Sequence, residues 1–375
     1  ITPSLFHSGT PHFAYRDLNS ETFMRSNHYI PIASAARRSV TWLLLGAAAT
    51  FMGCGGSPSE APVSVRSNQT IASFPHAIDM YVPSNAQSAV VFLHGGGGNK
   101  ERFAYDLDIK NDAGSTNYAA SASGITWLAN ERVAAIFPQG QTLSGYTAWT
   151  WNNYFMNSGQ NDVAFLQTLV AAIKADPALQ SITKVYVAGH SNGGMMANRM
   201  WCESPTTFDG YGALAGPPSI HLDPTLAASA TNHPCNPATV KPYISIVGDS
   251  DTVLQSTGNM TNKVWVLKSS LHVGASPVYV DNDPSVLNDA LFHSARVAMK
   301  CSGTISPATL SGQITRFSDC NNSVQLVVVS QSTARGRPSG GDHCLASLVA
   351  SCVTTLAGTT GLDPKTELVN FLKRF

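Results

Sequence analysis

The chain has 375 residues, a formal net charge of zero, 12% charged residues and 43% hydrophobic ones. That is enough apolar material for one large domain, or two at most. The neutral balance removes any electrostatic case for nucleic acid or for an acidic partner.

The first 60 residues do not read as fold. Val40 to Met52 (VTWLLLGAAATFM) is an apolar run preceded by Arg37 and Arg38. A basic patch before an apolar stretch too short to span a bilayer is the pattern of an export signal. The run ends Phe51-Met52-Gly53-Cys54, which resembles a bacterial lipobox, although Phe51 stands where Leu is usual. The expectation is a leader over 1–53, with Met24 as the start, and a lipid on Cys54 as the one membrane contact. An ordinary signal cut after a small residue such as Ala49 is the alternative. Ser57 to Asn68 is polar with two prolines, so 54–69 reads as a tether and 70–375 as the folded domain.

Seven cysteines are present. If Cys54 carries a lipid, six remain, an even set suited to an oxidising compartment. Fifteen pairings are open, and pairing sequence neighbours gives Cys202–Cys235, Cys301–Cys320 and Cys344–Cys352. No spacing resembles a zinc site, and neither metal nor cofactor is expected.

In chain order, apolar runs predict strands over Ala77–Val82, Ser88–Leu93 and Arg132–Phe137. Helical spacing of Val163, Phe165, Leu166, Leu169, Val170 and Ile173 predicts a helix over Asp162–Ala175, with Asp162 favourably placed at its positive end. A strand over Lys184–Ala188 leads into a helix over Asn192–Trp201. Further strands are expected at Tyr243–Val247 and Val324–Val329, and a closing helix at Thr366–Phe375. Continuous apolar strands alternating with helices imply an α/β fold with a parallel sheet covered on both faces. The irregular segment Leu254–Pro284 reads as an inserted loop or cap.

Gly189-His190-Ser191-Asn192-Gly193 is a G-x-S-x-G pentapeptide between a strand and an apolar-periodic helix. In that context the glycines permit a sharp strand-to-helix turn, which lifts the Ser191 hydroxyl above the sheet as a nucleophile. His94-Gly95-Gly96-Gly97-Gly98 follows the strand AVVFL. Its backbone suits an oxyanion, with the Gly96 N–H (or that of Gly95) and the Asn192 N–H as donors. The Lys-Ser/Thr ending of a phosphate loop is missing. His94 is expected to be a structural hydrogen-bonder.

An acid should follow the nucleophile after a later strand, and a histidine should come last. Asp249 and Asp251 both follow Tyr243–Val247, with Asp251 better placed to turn toward the histidine. Of His272, His293 and His343, only His343 sits on a loop after a late core strand. Trp149, Trp151 and Tyr154 cluster in GYTAWTWNNY. They would either line a substrate cleft or pack their own loop onto the domain.

The block NDVAFLQTLVAAI…KVYVAGHSNGGMMANRMWCESPTTFDGYGALAGP, with HGGGG upstream and GDSDTV downstream, resembles the secreted polyhydroxybutyrate depolymerase and feruloyl esterase-like family of α/β-hydrolases. The likeness covers about residues 70–375. It implies an α/β-hydrolase fold and an esterase with Ser191, Asp251 and His343 as its triad, acting on small or polymeric esters. It also favours the Cys202–Cys235 and Cys301–Cys320 pairs. Two features depart from the family. CLASLVASC follows His343 where Trp-Pro is common, and the segment after Asp251 is long. A peptidase, a thioesterase or a non-catalytic lipoprotein on the same fold are the competing readings.

Overall fold

The computed structural model describes residues 61–143, 145, 147–224, 226–248, 295–296, 298–301, 306–311, 314–320, 323–329, 343 and 363–375. All of these lie in one compact unit, 57–375. Cys54, Asp249, Asp251, His272, His293, Cys344, Cys352 and the Leu254–Pro284 segment fall outside the described residues.

The strands are β1 (Val63–Gln69), β2 (Ile78–Pro83), β3 (Ser88–Leu93), β4 (Val133–Pro138), β5 (Lys184–His190), β6 (Tyr211–Leu214), β7 (Tyr243–Gly248), β8 (Ser306–Ser311), β9 (Ile314–Asp319) and β10 (Val324–Val329). The helices are α1 (Lys100–Asp106), α2 (Ala122–Glu131), α3 (Asp162–Ala175), α4 (Asn192–Glu203) and α5 (Pro364–Leu372). Among the described residues the strands form one sheet in the order β1-β2-β4-β3-β5-β6-β7-β10-β9-β8. The central block from β4 to β10 is parallel. Antiparallel strands flank it, β1 and β2 on one side and β9 and β8 on the other.

Side-chain alternation divides the core between the two faces of the sheet. On β3, Ala89, Val91 and Leu93 join the cluster under α3 and α4, whereas Val90 and Phe92 join the cluster under α1, α2 and α5. On β5, Val187 faces the first and Tyr186 and Ala188 the second. Both faces are covered, which is why these strands read as unbroken apolar runs.

Local chemistry sets where the helices begin. The Asn161 side chain accepts from the Ala164 N–H and opens α3, and Ser121 does the same for α2. Asp363 caps α5 with Pro364 in the first turn, so this helix starts two residues before the apolar spacing suggests. Cys202 is joined to Cys235, which ties the end of α4 to the segment before β7. Cys301 is joined to Cys320 at the end of β9.

One boundary is corrected. The stretch assigned to a tether over 54–69 contains β1, which pairs antiparallel with β2. An edge strand exposed on one side carries Ser, Arg and Asn, and its composition is that of a linker. Short β6 and the β8–β9 hairpin also lack a distinctive pattern.

Among the described residues no helix is long and apolar enough to cross a membrane. Leu169 of α3 is fully buried in the core. Leu169→Ala should therefore cost ~2–5 kcal/mol, read from urea unfolding of the whole protein.

Candidate active site

Among the described parallel strands, the order reverses at β3. From β3 the chain crosses to β4 on one side, and then returns to β5 on the other. Loops leaving the carboxyl ends of β3 and β5 diverge there and leave a crevice. The two glycine-rich motifs are those loops: His94–Gly98 leaves β3, and Ser191 leaves β5.

The turn at Ser191 is tight because backbones touch. A Cβ on Gly193 would stand 2.1 Å from the Leu93 carbonyl oxygen, and one on Gly189 would stand 2.2 Å from the Gly193 carbonyl carbon. Only glycine lets β5, α4 and the end of β3 meet this closely. Ser191 itself is held at φ 52°, ψ −119°, a strained backbone for a residue with a side chain. Serine at a helix N-cap normally accepts from the first turn. Here it makes no such bond. Its half-buried Oγ instead lies 2.8 Å from His343 Nε2, across 152 residues of sequence. The Ser191 N–H donates to the Leu214 carbonyl at 2.8 Å, which locks the turn onto β6.

The glycine loop separates used from unused donors. The Gly97 N–H donates to the Trp149 carbonyl at 2.7 Å, and the Gly98 N–H to that of Gly95 at 3.1 Å. The Gly95, Gly96 and Asn192 N–H groups meet no acceptor among the described residues. A Cβ on Gly96 would be 3.5 Å from that of Asn192, so the glycine loop lies against the first turn of α4.

His94 is a strut. Its Nε2 accepts from the Gly140 N–H at 2.9 Å, and its Nδ1 lies 2.8 Å from the Gly95 carbonyl. A carbonyl only accepts, so Nδ1 carries the proton. Burial pushes the imidazole down to about 4, against the opposing pull of the Gly95 carbonyl. It stays neutral at pH 7.

The aromatic loop after β4 proves to be a clamp. Trp151 is fully buried, and its Nε1 donates to the His94 carbonyl at 3.0 Å. Its N–H donates to Asn192 Oδ1 at 2.8 Å, joined there by the Thr150 hydroxyl at 3.0 Å. Asn153 Nδ2 donates to the Asn192 carbonyl at 2.9 Å. Asp162 holds the other end of the loop. Its buried carboxylate accepts from the Asn152 N–H at 2.6 Å and from Ser158 Oγ at 2.7 Å, and pairs with His76 Nε2 at 2.8 Å.

For Trp151 and Tyr154 the substrate-binding expectation is corrected in favour of packing. Trp151 has no exposed surface for a ligand. Tyr154 is held between the Arg199 guanidinium at 3.9 Å and the His233 ring at 4.2 Å, and both of its faces are occupied. Trp149 is 39% exposed and stands beside the glycine loop that its carbonyl holds. Met156, which the sequence reading passed over, places its Sδ 3.3 Å from where a Cβ on Gly96 would be. No periodicity marks a lone methionine in a loop.

Among the described residues, Cys301, Asp319 and Cys320 form a cluster of metal-ligating types. Both of its sulfurs are committed to a disulfide, so it offers no thiolate.

The sheet order, the crevice at its reversal and the serine on a strand-to-helix turn together define an α/β-hydrolase fold. No protein-family model and no curated protein matches the chain. Solved structures do resemble it. An acetyl xylan esterase from Aspergillus awamori is 13% identical, with a TM-score of 0.46 over 82% of this chain and 99% of that one. A dienelactone hydrolase from Anabaena variabilis is 18% identical, with a TM-score of 0.31 over 53% of this chain and 79% of that one. An S-formylglutathione hydrolase from Agrobacterium tumefaciens is 12% identical, with a TM-score of 0.35 over 50% and 76%. Likeness at this level identifies no substrate.

Two outcomes follow from the contacts. Gly193→Ala should destabilise the protein by more than the ~1–3 kcal/mol usual for overpacking, because the neighbour is backbone; thermal unfolding measures it. His94 gives acid sensitivity of defined sign. The unfolded chain binds its proton at an ordinary histidine value of 6.5, whereas the folded chain resists until about 4. Its contribution is complete above that ordinary value and is lost as pH falls toward about 4. His94→Gln should flatten the fall in urea midpoint between pH 7 and pH 4.5, whatever its effect at neutral pH.

Proposed function

We propose that this chain is a serine carboxylic-ester hydrolase that works through an acyl-enzyme. The observation that carries the reading is the 2.8 Å approach of His343 Nε2 to Ser191 Oγ at the reversal point of the sheet. The Gly96 and Asn192 N–H groups, which meet no acceptor among the described residues, add to the case.

In this reading His343 takes the Ser191 proton as the hydroxyl attacks the ester carbonyl. The developing oxyanion is received by the Gly96 and Asn192 N–H groups, each typically worth roughly 3 kcal/mol in the transition state. His343 then protonates the departing alcohol, and afterwards activates water to release the acid. Asp251 follows β7 by three residues and is assigned to orient the imidazole and to stabilise its charged form. The strain and the uncapped geometry at Ser191 support a nucleophile, since both leave its hydroxyl free for the imidazole.

The finer reading is an exported enzyme like the polyhydroxybutyrate depolymerases, anchored through a lipid on Cys54. The two disulfides among the described residues are consistent with an oxidising compartment. A feruloyl or other aryl ester is the second substrate reading, and the exposed Trp149 beside the glycine loop favours it.

Ser191→Ala should lower turnover of nitrophenyl esters on the order of a million-fold and abolish labelling by a fluorophosphonate. Activity surviving that substitution would overturn the assignment. A feruloyl ester and an amorphous polyester film, assayed beside each other, separate the two substrate readings.

A further inference from the structure

We propose that His190, the residue before the nucleophile, is a positioning residue for His343. The inference rests on the reading of Ser191 and His343 just given, and goes beyond it by assigning a task to a side chain outside the triad.

His190 Nε2 lies 2.6 Å from the backbone carbonyl of His343. Two hydrogen bonds of His343 thus reach consecutive residues of the same turn. Its carbonyl is held by residue 190 and its ring nitrogen by residue 191. A bond at the carbonyl restricts the backbone from which the imidazole projects. A bond at Nε2 restricts the far end of the ring. Together they fix where the base stands relative to Oγ.

The His190 ring is also well placed to transmit the geometry of the crevice. Its centroid is 5.1 Å from that of His343. Its Nδ1 is 3.3 Å from where a Cβ on Gly95 would be. One imidazole therefore packs against the glycine loop and bonds the backbone of the base, while its own backbone forms the turn that carries the nucleophile.

The chemistry of the bond sets its pH behaviour. A carbonyl oxygen can only accept, so Nε2 carries a hydrogen in the neutral ring and in the charged one. The contact survives titration of His190. Its role is positional, and donor geometry is what a substitute must reproduce. Glutamine can present an N–H at a reach similar to Nε2. Phenylalanine fills the space with no donor, and leucine is a smaller donorless side chain.

The test compares His190→Phe, His190→Leu and His190→Gln with the unmodified full chain on a nitrophenyl ester. Misplacing a reacting group by about 1 Å costs on the order of a hundredfold in rate. The two donorless variants should lose about tenfold to a hundredfold in kcat with KM within about twofold, and should label more slowly with a fluorophosphonate. His190→Gln should regain most of the loss and keep the shape of the pH profile. The proposal is overturned if His190→Phe and His190→Leu keep full kcat, or if the glutamine variant is as slow as they are. A restored kcat with a displaced pH profile also overturns it, since His190 would then act through charge. Ser191→Ala run in parallel separates the failures. If it is inactive while the donorless variants are fully active, only the role of His190 is lost. If it remains active, the esterase reading itself fails.

Discussion

Everything at the crevice depends on how closely three pieces of backbone meet where β5 turns into α4. Gly193 lies against the end of β3, and Gly189 lies against Gly193. This contact holds Ser191 at a positive φ and brings the glycine loop next to the first turn of α4. Without it, neither the hydroxyl nor the candidate oxyanion donors would share one small volume. The cost of the strained serine is on the order of 1–3 kcal/mol, and it is met by the packing of the surrounding strands.

The loop after β4 makes that arrangement rigid. Asn192 receives the Trp151 N–H and the Thr150 hydroxyl on its side chain and Asn153 on its carbonyl. Trp151 also reaches the His94 carbonyl, and Trp149 receives the Gly97 N–H. Both sides of the crevice are therefore held by one segment, and that segment is anchored on the buried carboxylate of Asp162. A carboxylate at the start of α3 suits the helix dipole. Its larger task is to accept from a loop ten residues or fewer upstream.

Such a site combines restraint with spare bonding capacity. Gly96 and Asn192 keep N–H groups without acceptors among the described residues, and Ser191 forgoes the cap it could have made. Each N–H left without an acceptor is a small loss of stability, located beside the Ser191 hydroxyl. Neutral His94 completes the frame, because its proton is committed to the Gly95 carbonyl and its lone pair to the Gly140 N–H and the Gln139 amide.

The alternating strands and helices, the turn at Ser191 and the glycine loop after β3 were all legible in the order of the residues. Those features are local, for apolar runs, glycine and a serine between them act over a few residues. His343 was also legible, since only one late histidine followed a core strand. Which aromatics are buried could be read only from the folded chain, because exposure depends on segments far apart in it. Trp151 and Trp149 look alike in the sequence, yet one is sealed beneath His94 and the other faces outward. The bond from His190 to the His343 carbonyl is of the same kind. It joins residues 153 apart, a distance over which no spacing or composition carries information.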